Sequence, residues 1–129
     1  MTRRAISTAA APTAVGPYSQ AIAIEDLVFC SGQVGLDPAT GALVDGGLEA
    51  QAERALKNLA SVLDAAGCTW ADVVKTTCFL TDIDDFAAFN AIYARYMPDP
   101  PPARSTFAVA ALPKAASIEI EAIAIRSRA

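Results

Sequence analysis

SIEIEAIAIR, Ser117 to Arg126, is the stretch on which the fold turns. Ile118, Ile120, Ala122 and Ala124 alternate onto one face, the period of two that marks a strand packed against a core. Glu119, Glu121, Ile123 and Ile125 share the other face. Two carboxylates beside two isoleucines admit two readings. The glutamates keep an edge strand soluble, or they stand at a partly buried boundary, where a carboxylate needs a cation or a polar ligand beside it.

Working outward from that strand, helices and strands interleave. Arg3 to Ser7 reads as a short strand leading into a loop that ends in GPYSQ. Ala21 to Ile24 and Leu27 to Ser31 read as a hairpin turning at Glu25-Asp26. GLDPATGALVDGG is turn-rich and reads as a surface loop. From Leu48 to Ala66 apolar residues recur at helical spacing with charged residues opposite, and Gly67 is a natural stop. Val73 to Thr81 is β-rich. A second helix starts near Asp82 or Asp84, either a fit cap, and ends before Pro98. Its apolar face is Phe86, Phe89, Tyr93 and Tyr96, with Asn90 at the margin. The prolines of PDPPPAR predict a stiff, extended segment. Strands from Ser105 to Leu112 and from Ser117 to Ile125 close the chain.

This pattern predicts one α+β domain over residues 1–129, a mixed sheet with two helices on one face. Two helices cannot cover both faces, yet the second face carries apolar residues. That face is expected to be buried by another subunit, with the site where subunits meet.

Composition narrows the chemistry. Ten basic against fourteen acidic residues leave a net charge of −4, with no basic cluster, which disfavours nucleic-acid binding. The absence of histidine removes Ser-His-Asp and Cys-His catalysis and most catalytic zinc sites. Cys30, Cys68 and Cys78 lack CxxC spacing and read as reduced core thiols of a cytoplasmic protein. The uncharged run from Ala5 to Ile24, after Arg3 and Arg4, is broken by proline, glycine and hydroxyl residues, so it reads as neither membrane span nor export signal; an Arg- and Ser-bearing transit peptide is the other reading.

Several residues could carry chemistry. Arg104, mounted behind three prolines at a strand entrance, can grip a carboxylate bidentately or pair with a nearby acid. Tyr18 in GPYSQ is either a site residue or aromatic packing. Ser31-Gly32 ends a strand with a glycine that lets a ligand approach the backbone, or forms a bulge. Asn90 can offer its amide to a ligand or to a neighbouring loop.

GPYSQA, FCSGQVGLDPATG, QAERALKNLASVLDAAG, VVKTTCFLTDIDDFAAFN, PPARST and ALPKAASIEIEAIA together resemble the RidA/YjgF family of enamine/imine deaminases over nearly the whole chain. The resemblance implies a chorismate-mutase-like fold assembled as a homotrimer, with a central β-barrel and sites in the clefts between subunits. It implies that Arg104 holds the substrate carboxylate and that Glu119 positions the attacking water. Tyr18, Ser31, Gly32 and Asn90 then line the site. Thr106 stands where some relatives carry a cysteine, so a thiol role is replaced there by, at most, a backbone amide. The implied substrates are 2-imino and enamine acids hydrolysed to 2-oxo acids and ammonia, without cofactor or metal. Rival readings are a non-enzymatic binding or chaperone-like trimer, a ribonuclease, a pathway-specific deaminase acting on 3-aminoacrylate or 2-aminomuconate, and, by fold alone, a chorismate mutase.

Overall fold

Six strands form one mixed sheet with two helices packed on one face. The structure, a computed structural model, describes residues 1–127. In chain order the elements are β1 (Arg3–Ile6), β2 (Ala21–Ile24), β3 (Leu27–Val34), α1 (Gly47–Ala65), β4 (Val73–Leu80), α2 (Phe86–Ala94), β5 (Ala103–Ala108) and β6 (Ile118–Ile125). The spatial order is β1-β2-β3-β6-β4-β5. The last strand in sequence is thus inserted at the centre, antiparallel to both β3 and β4, while β5 runs parallel to β4 at the edge.

Local chemistry explains the elements. β2 and β3 join through a two-residue turn in which Glu25 adopts φ 53°, the left-handed geometry that matches strand twist. α1 buries Leu48, Ala52, Ala55, Leu56, Leu59, Val62 and Leu63 along one stripe. It stops where Gly67 takes φ 80° and Cys68 N–H donates to the Leu63 carbonyl at 2.8 Å. The Asp82 carboxylate caps a 3₁₀ turn over Ile83–Asp85, so the second helix is divided and its α-helical part begins only at Phe86. Phe89 packs into the same core as α1 and the helix-facing residues of the sheet.

Several details differ from the sequence reading. β3 continues past Ser31 to Val34 through a bulge, in which Ser31 and Gly32 together oppose one residue of β6. β5 ends at Ala108 rather than Leu112, because its partner β4 ends at Leu80, directly opposite. The proline segment is not uniformly extended: it bends at Asp99 and Pro100, whose peptide bond is cis.

Two buried amides lie on the apolar side of α1. Asn58 donates to the carbonyls of Val34 and Leu36, tying down the end of β3. Gln51 accepts from Ser117 N–H at 2.7 Å, tying down the start of β6. Both tethers sit beside strands that carry candidate site residues. The sheet face away from the helices is uncovered in the single chain. Leu27, Phe29, Phe107 and Ile125 lie on it between 41% and 48% exposed, and Phe79 and Phe107 pack edge-on there with ring centres 5.2 Å apart.

Candidate active site

Strand register sorts the candidate residues onto opposite faces of the sheet. Glu119 pairs with Phe79 across the β6–β4 ladder, and Phe79 with Phe107 across β4–β5, so Glu119 belongs to the uncovered face. Arg104 pairs with Thr76, and Thr106 with Cys78, residues whose partners on β6 are Ala122 and Ile120. Arg104 and Thr106 therefore belong to the helix-covered face.

The carboxylate half is built by backbone. At the β3 bulge the Glu119 side chain lies directly over Gly32: a Cβ added there would overlap the carboxylate, with Cδ at 2.8 Å and Cγ at 2.9 Å. Only glycine leaves that space. The adjoining Ser31 Oγ donates to the Ser19 carbonyl at 2.6 Å and its N–H to the Gln20 carbonyl at 3.0 Å, which fixes the loop after GPYSQ. Gln20, buried, holds the loop from within by donating to the carbonyls of Thr8 and Pro12 and accepting from Thr8 N–H. That loop carries the exposed Tyr18. Tyr18, Ser31, Gly32, Lys114 and Glu119 line one cavity of 510 Å³, whose remaining walls are largely apolar. Burial, and then the neighbouring Glu121 charge, push the Glu119 carboxyl above its ordinary range.

Side chains build the guanidinium half. Arg104 lies over the Tyr93 ring at 4.8 Å and the Phe86 ring at 5.4 Å, and donates to Asn90 Oδ1 at 2.7 Å. Both rings are presented by α2, and Tyr93 is itself fixed by a 2.6 Å hydrogen bond to buried Thr76. Rings on its faces and an amide on one nitrogen hold the guanidinium in one orientation while leaving other donors for a ligand. Arg104, Asn90, Tyr93 and Met97 contribute to a second cavity of 640 Å³. Thr106 lines neither cavity; its buried Oγ1 has no well-formed hydrogen bond and lies beside the Cys78 thiol. Burial pushes that thiol up to about 11, so it is protonated and unreactive at neutral pH.

Within one chain, then, Tyr18, Ser31, Gly32 and Glu119 come together, Asn90 and Arg104 come together, and the two groups do not meet. Neither carboxylate on β6 has a cation: the ion pairs among the described residues join Arg95 to Glu53 and Arg126 to Asp26. No cluster of three or more cysteine, aspartate or glutamate side chains is placed to hold a metal among the described residues, and no described helix is long and apolar enough to cross a membrane.

Sequence reasoning missed several contributors. Phe86 and Tyr93 read only as an apolar helix face, though their spacing from Asn90 placed all three on adjoining turns. Lys114, between the last two predicted strands, was not singled out. Gln20 was visible in GPYSQ, but its partners lie 8 to 12 residues earlier, beyond any local signal.

Comparison with known proteins places this arrangement. The pattern of the family described as Endoribonuclease L-PSP matches residues 8–126. The chain is 53% identical over 124 residues to a human protein named 2-iminobutanoate/2-iminopropanoate deaminase, covering 96% of this chain and 90% of that one. It is 53% identical over 122 residues to an Arabidopsis thaliana protein named Reactive Intermediate Deaminase A, chloroplastic, covering 95% of this chain and 65% of that one. Among solved structures it is similar to RidA of an Antarctic Psychrobacter, with TM-score 0.91 and 44% identity over 95% of this chain and 98% of that one. It is likewise similar to Escherichia coli TdcF with bound serine, with TM-score 0.90 and 41% identity over 96% of this chain and 99% of that one. A match across nearly the whole sequence, on the same α+β architecture, means that this chain belongs to the Endoribonuclease L-PSP family, also known as RidA/YjgF.

Proposed function

We propose that the protein hydrolyses 2-imino acids and their enamine tautomers to 2-oxo acids and ammonia, in clefts where the Glu119 half of one copy meets the Arg104 half of another. The separation of the two halves onto opposite sheet faces is the observation that carries this reading. Neither half suffices alone: one holds a carboxylate that makes no ion pair, the other a fixed guanidinium without a base. A homotrimer that turns the uncovered faces inward as a central barrel, in the chorismate-mutase-like manner, buries Leu27, Phe29, Phe107 and Ile125 and joins the halves.

In that cleft Arg104 grips the substrate carboxylate, oriented by Asn90, Tyr93 and Phe86. Tyr18, Ser31, Gly32 and the Thr106 backbone complete the enclosure. Glu119 accepts a proton from water as its oxygen bonds to C2. The C=N electron pair moves onto nitrogen, which takes that proton back from Glu119 to give a carbinolamine; the hydroxyl proton then passes to the same nitrogen, the C–N bond breaks with its electron pair leaving on ammonia, and the C=O forms. Imines hydrolyse in water unaided, so positioning plus one proton-transfer group, typically worth about 10²–10⁴-fold, suffices. The names of the human and Arabidopsis relatives support the substrate class, and serine bound to TdcF supports a scaffold that takes a small α-carboxylate. The endoribonuclease in the family's description fits this chain less well: at net charge −4 and without histidine it lacks both phosphate attraction and the usual acid–base pair.

Mixing tests the shared cleft. Arg104→Ala and Glu119→Gln, each assayed alone on an imine generated by an amino-acid oxidase, should lose about 10²–10⁴-fold. Co-refolded in equal amounts they should regain roughly a quarter of wild-type activity, because a head-to-tail interface pairs chains at random. No recovery would place both groups in one chain's site, and full activity of Glu119→Gln alone would remove its assigned role.

A further inference from the structure

Thr76 is a buried hydroxyl residue in the middle of β4, on the sheet face that the helices cover. Across the ladders it stands between Ala122 of β6 and Arg104 of β5. Its Oγ1 lies 2.6 Å from the hydroxyl of Tyr93, which α2 brings onto the same face. Tyr93 is buried too, and its ring packs against the core residue Phe89 with centres 5.4 Å apart. The Arg104 guanidinium lies 4.8 Å from the centre of that ring. Thr76, Tyr93 and Arg104 thus link β4, α2 and β5 in one cluster.

Stability alone gives no reason for the two hydroxyls. Each gives up water to make one shared bond, and replacing both partners of such a bond by apolar groups of the same shape is close to neutral. Valine and phenylalanine would fill this space with no polar group left over. They would not supply a tether at the far end of the ring. α2 holds the near end of Tyr93 and Thr76 holds the far end, so the ring plane is fixed. A cation is attracted to the face of a ring and not to its edge, so the ring plane fixes the guanidinium plane in turn. A planar fork that meets a carboxylate through two parallel hydrogen bonds depends on that plane. Burial pushes the Tyr93 hydroxyl above the ordinary tyrosine range, which keeps it protonated and the tether intact at neutral pH.

We propose that Thr76 is a positioning residue for carboxylate recognition: through its hydrogen bond to Tyr93 it sets the plane of Arg104, and with it the affinity of the cleft for a 2-imino or 2-oxo acid. The inference rests on Arg104 as the carboxylate grip of the deaminase reading, and extends the site to a fully buried residue of the sheet.

The double variant Thr76→Val/Tyr93→Phe separates positioning from packing, because it removes the tether and leaves neither hydroxyl unpaired. Binding of 2-oxobutanoate, followed by calorimetry, should weaken roughly tenfold, the scale of one loosened cation–ring or charge-assisted contact. KM for the imine generated from 2-aminobutyrate by an amino-acid oxidase should rise by the same factor while kcat holds. That factor should not change across the neutral pH range, and Tm should stay at or above that of wild type. Thr76→Ser keeps the hydroxyl and should bind like wild type, even where the lost methyl group lowers Tm. Wild-type binding and KM in the double variant would overturn the inference, and so would Thr76→Ser binding as weakly as Thr76→Val. A loss confined to kcat would place the effect at the base and not at the grip, which overturns it too. A wild type that binds 2-oxobutanoate without hastening imine decay would remove the deaminase reading and leave Thr76 to be judged on affinity. One that does neither would remove both.

Discussion

The carboxylate half and the guanidinium half of the candidate site are held by different means. Glu119 depends on backbone: a bulge in β3, a glycine without a Cβ, and two strand ends tied to α1 by the buried amides of Gln51 and Asn58. Arg104 depends on side chains, two rings and an amide supplied by consecutive turns of α2. A backbone-built site has no redundancy at its narrowest point, so one added methyl group displaces the carboxylate. A site built from several side chains loses one support at a time. The arrangement also keeps the two charges on opposite faces of the sheet, so that neither neutralises the other within one chain.

Three substitutions sharpen this contrast, in descending order of effect. Gly32→Ala should cost about 10²-fold or more in kcat/KM, the scale of a 1 Å misplacement. The atoms its Cβ meets belong to one flexible side chain, so the fold should survive; circular dichroism and Tm near wild type, with activity gone, is the expected pair. An active Gly32→Ala would show that Glu119 does not need its present position. Asn90→Ala should raise KM about tenfold by removing a charge-assisted hydrogen bond, with kcat less affected because the rings still hold Arg104. A loss as large as that of Gly32→Ala would erase the proposed difference between the halves.

The smallest effect concerns pH. Burial and Glu121 raise the Glu119 pKa, so its basic form is lost on acidification sooner than that of an ordinary carboxylate. The acid limb of the kcat profile should therefore lie above the usual carboxylate range. Glu121→Gln removes the second cause, which lowers the Glu119 pKa and moves the limb to lower pH. A limb that moves upward, or stays still, would detach the profile from Glu119.

Much of the scaffold was legible in the chain. The alternation of Ile118 to Ile125 marked a strand with one core face, the spacing from Leu48 to Leu63 marked a helix, and Gly67 its end. Glu25-Asp26 marked a hairpin. These signals are local: each depends on side chains one to four residues apart, which share a face whatever the rest of the chain does. The surplus of apolar residues opposite the helices was legible for the same reason. The residue types at positions 18, 31, 32, 104 and 119 could be singled out as well, with the family resemblance supplying their implied roles.

What the chain did not disclose is long-range. Gln51 and Asn58 lie within the helical pattern with nothing local to single them out, because their partners lie 66 and 22 to 24 residues away. Lys114 carries no glycine to announce its left-handed turn. The end of β5 depended on the length of β4. Most of all, the faces occupied by Arg104 and Glu119 follow from β6 pairing between β3 and β4, a register set by contacts distant in sequence. Periodicity determines which residues lie together on a strand; only the pairing of strands determines which side of the molecule that face becomes, because one step of register turns every side chain over.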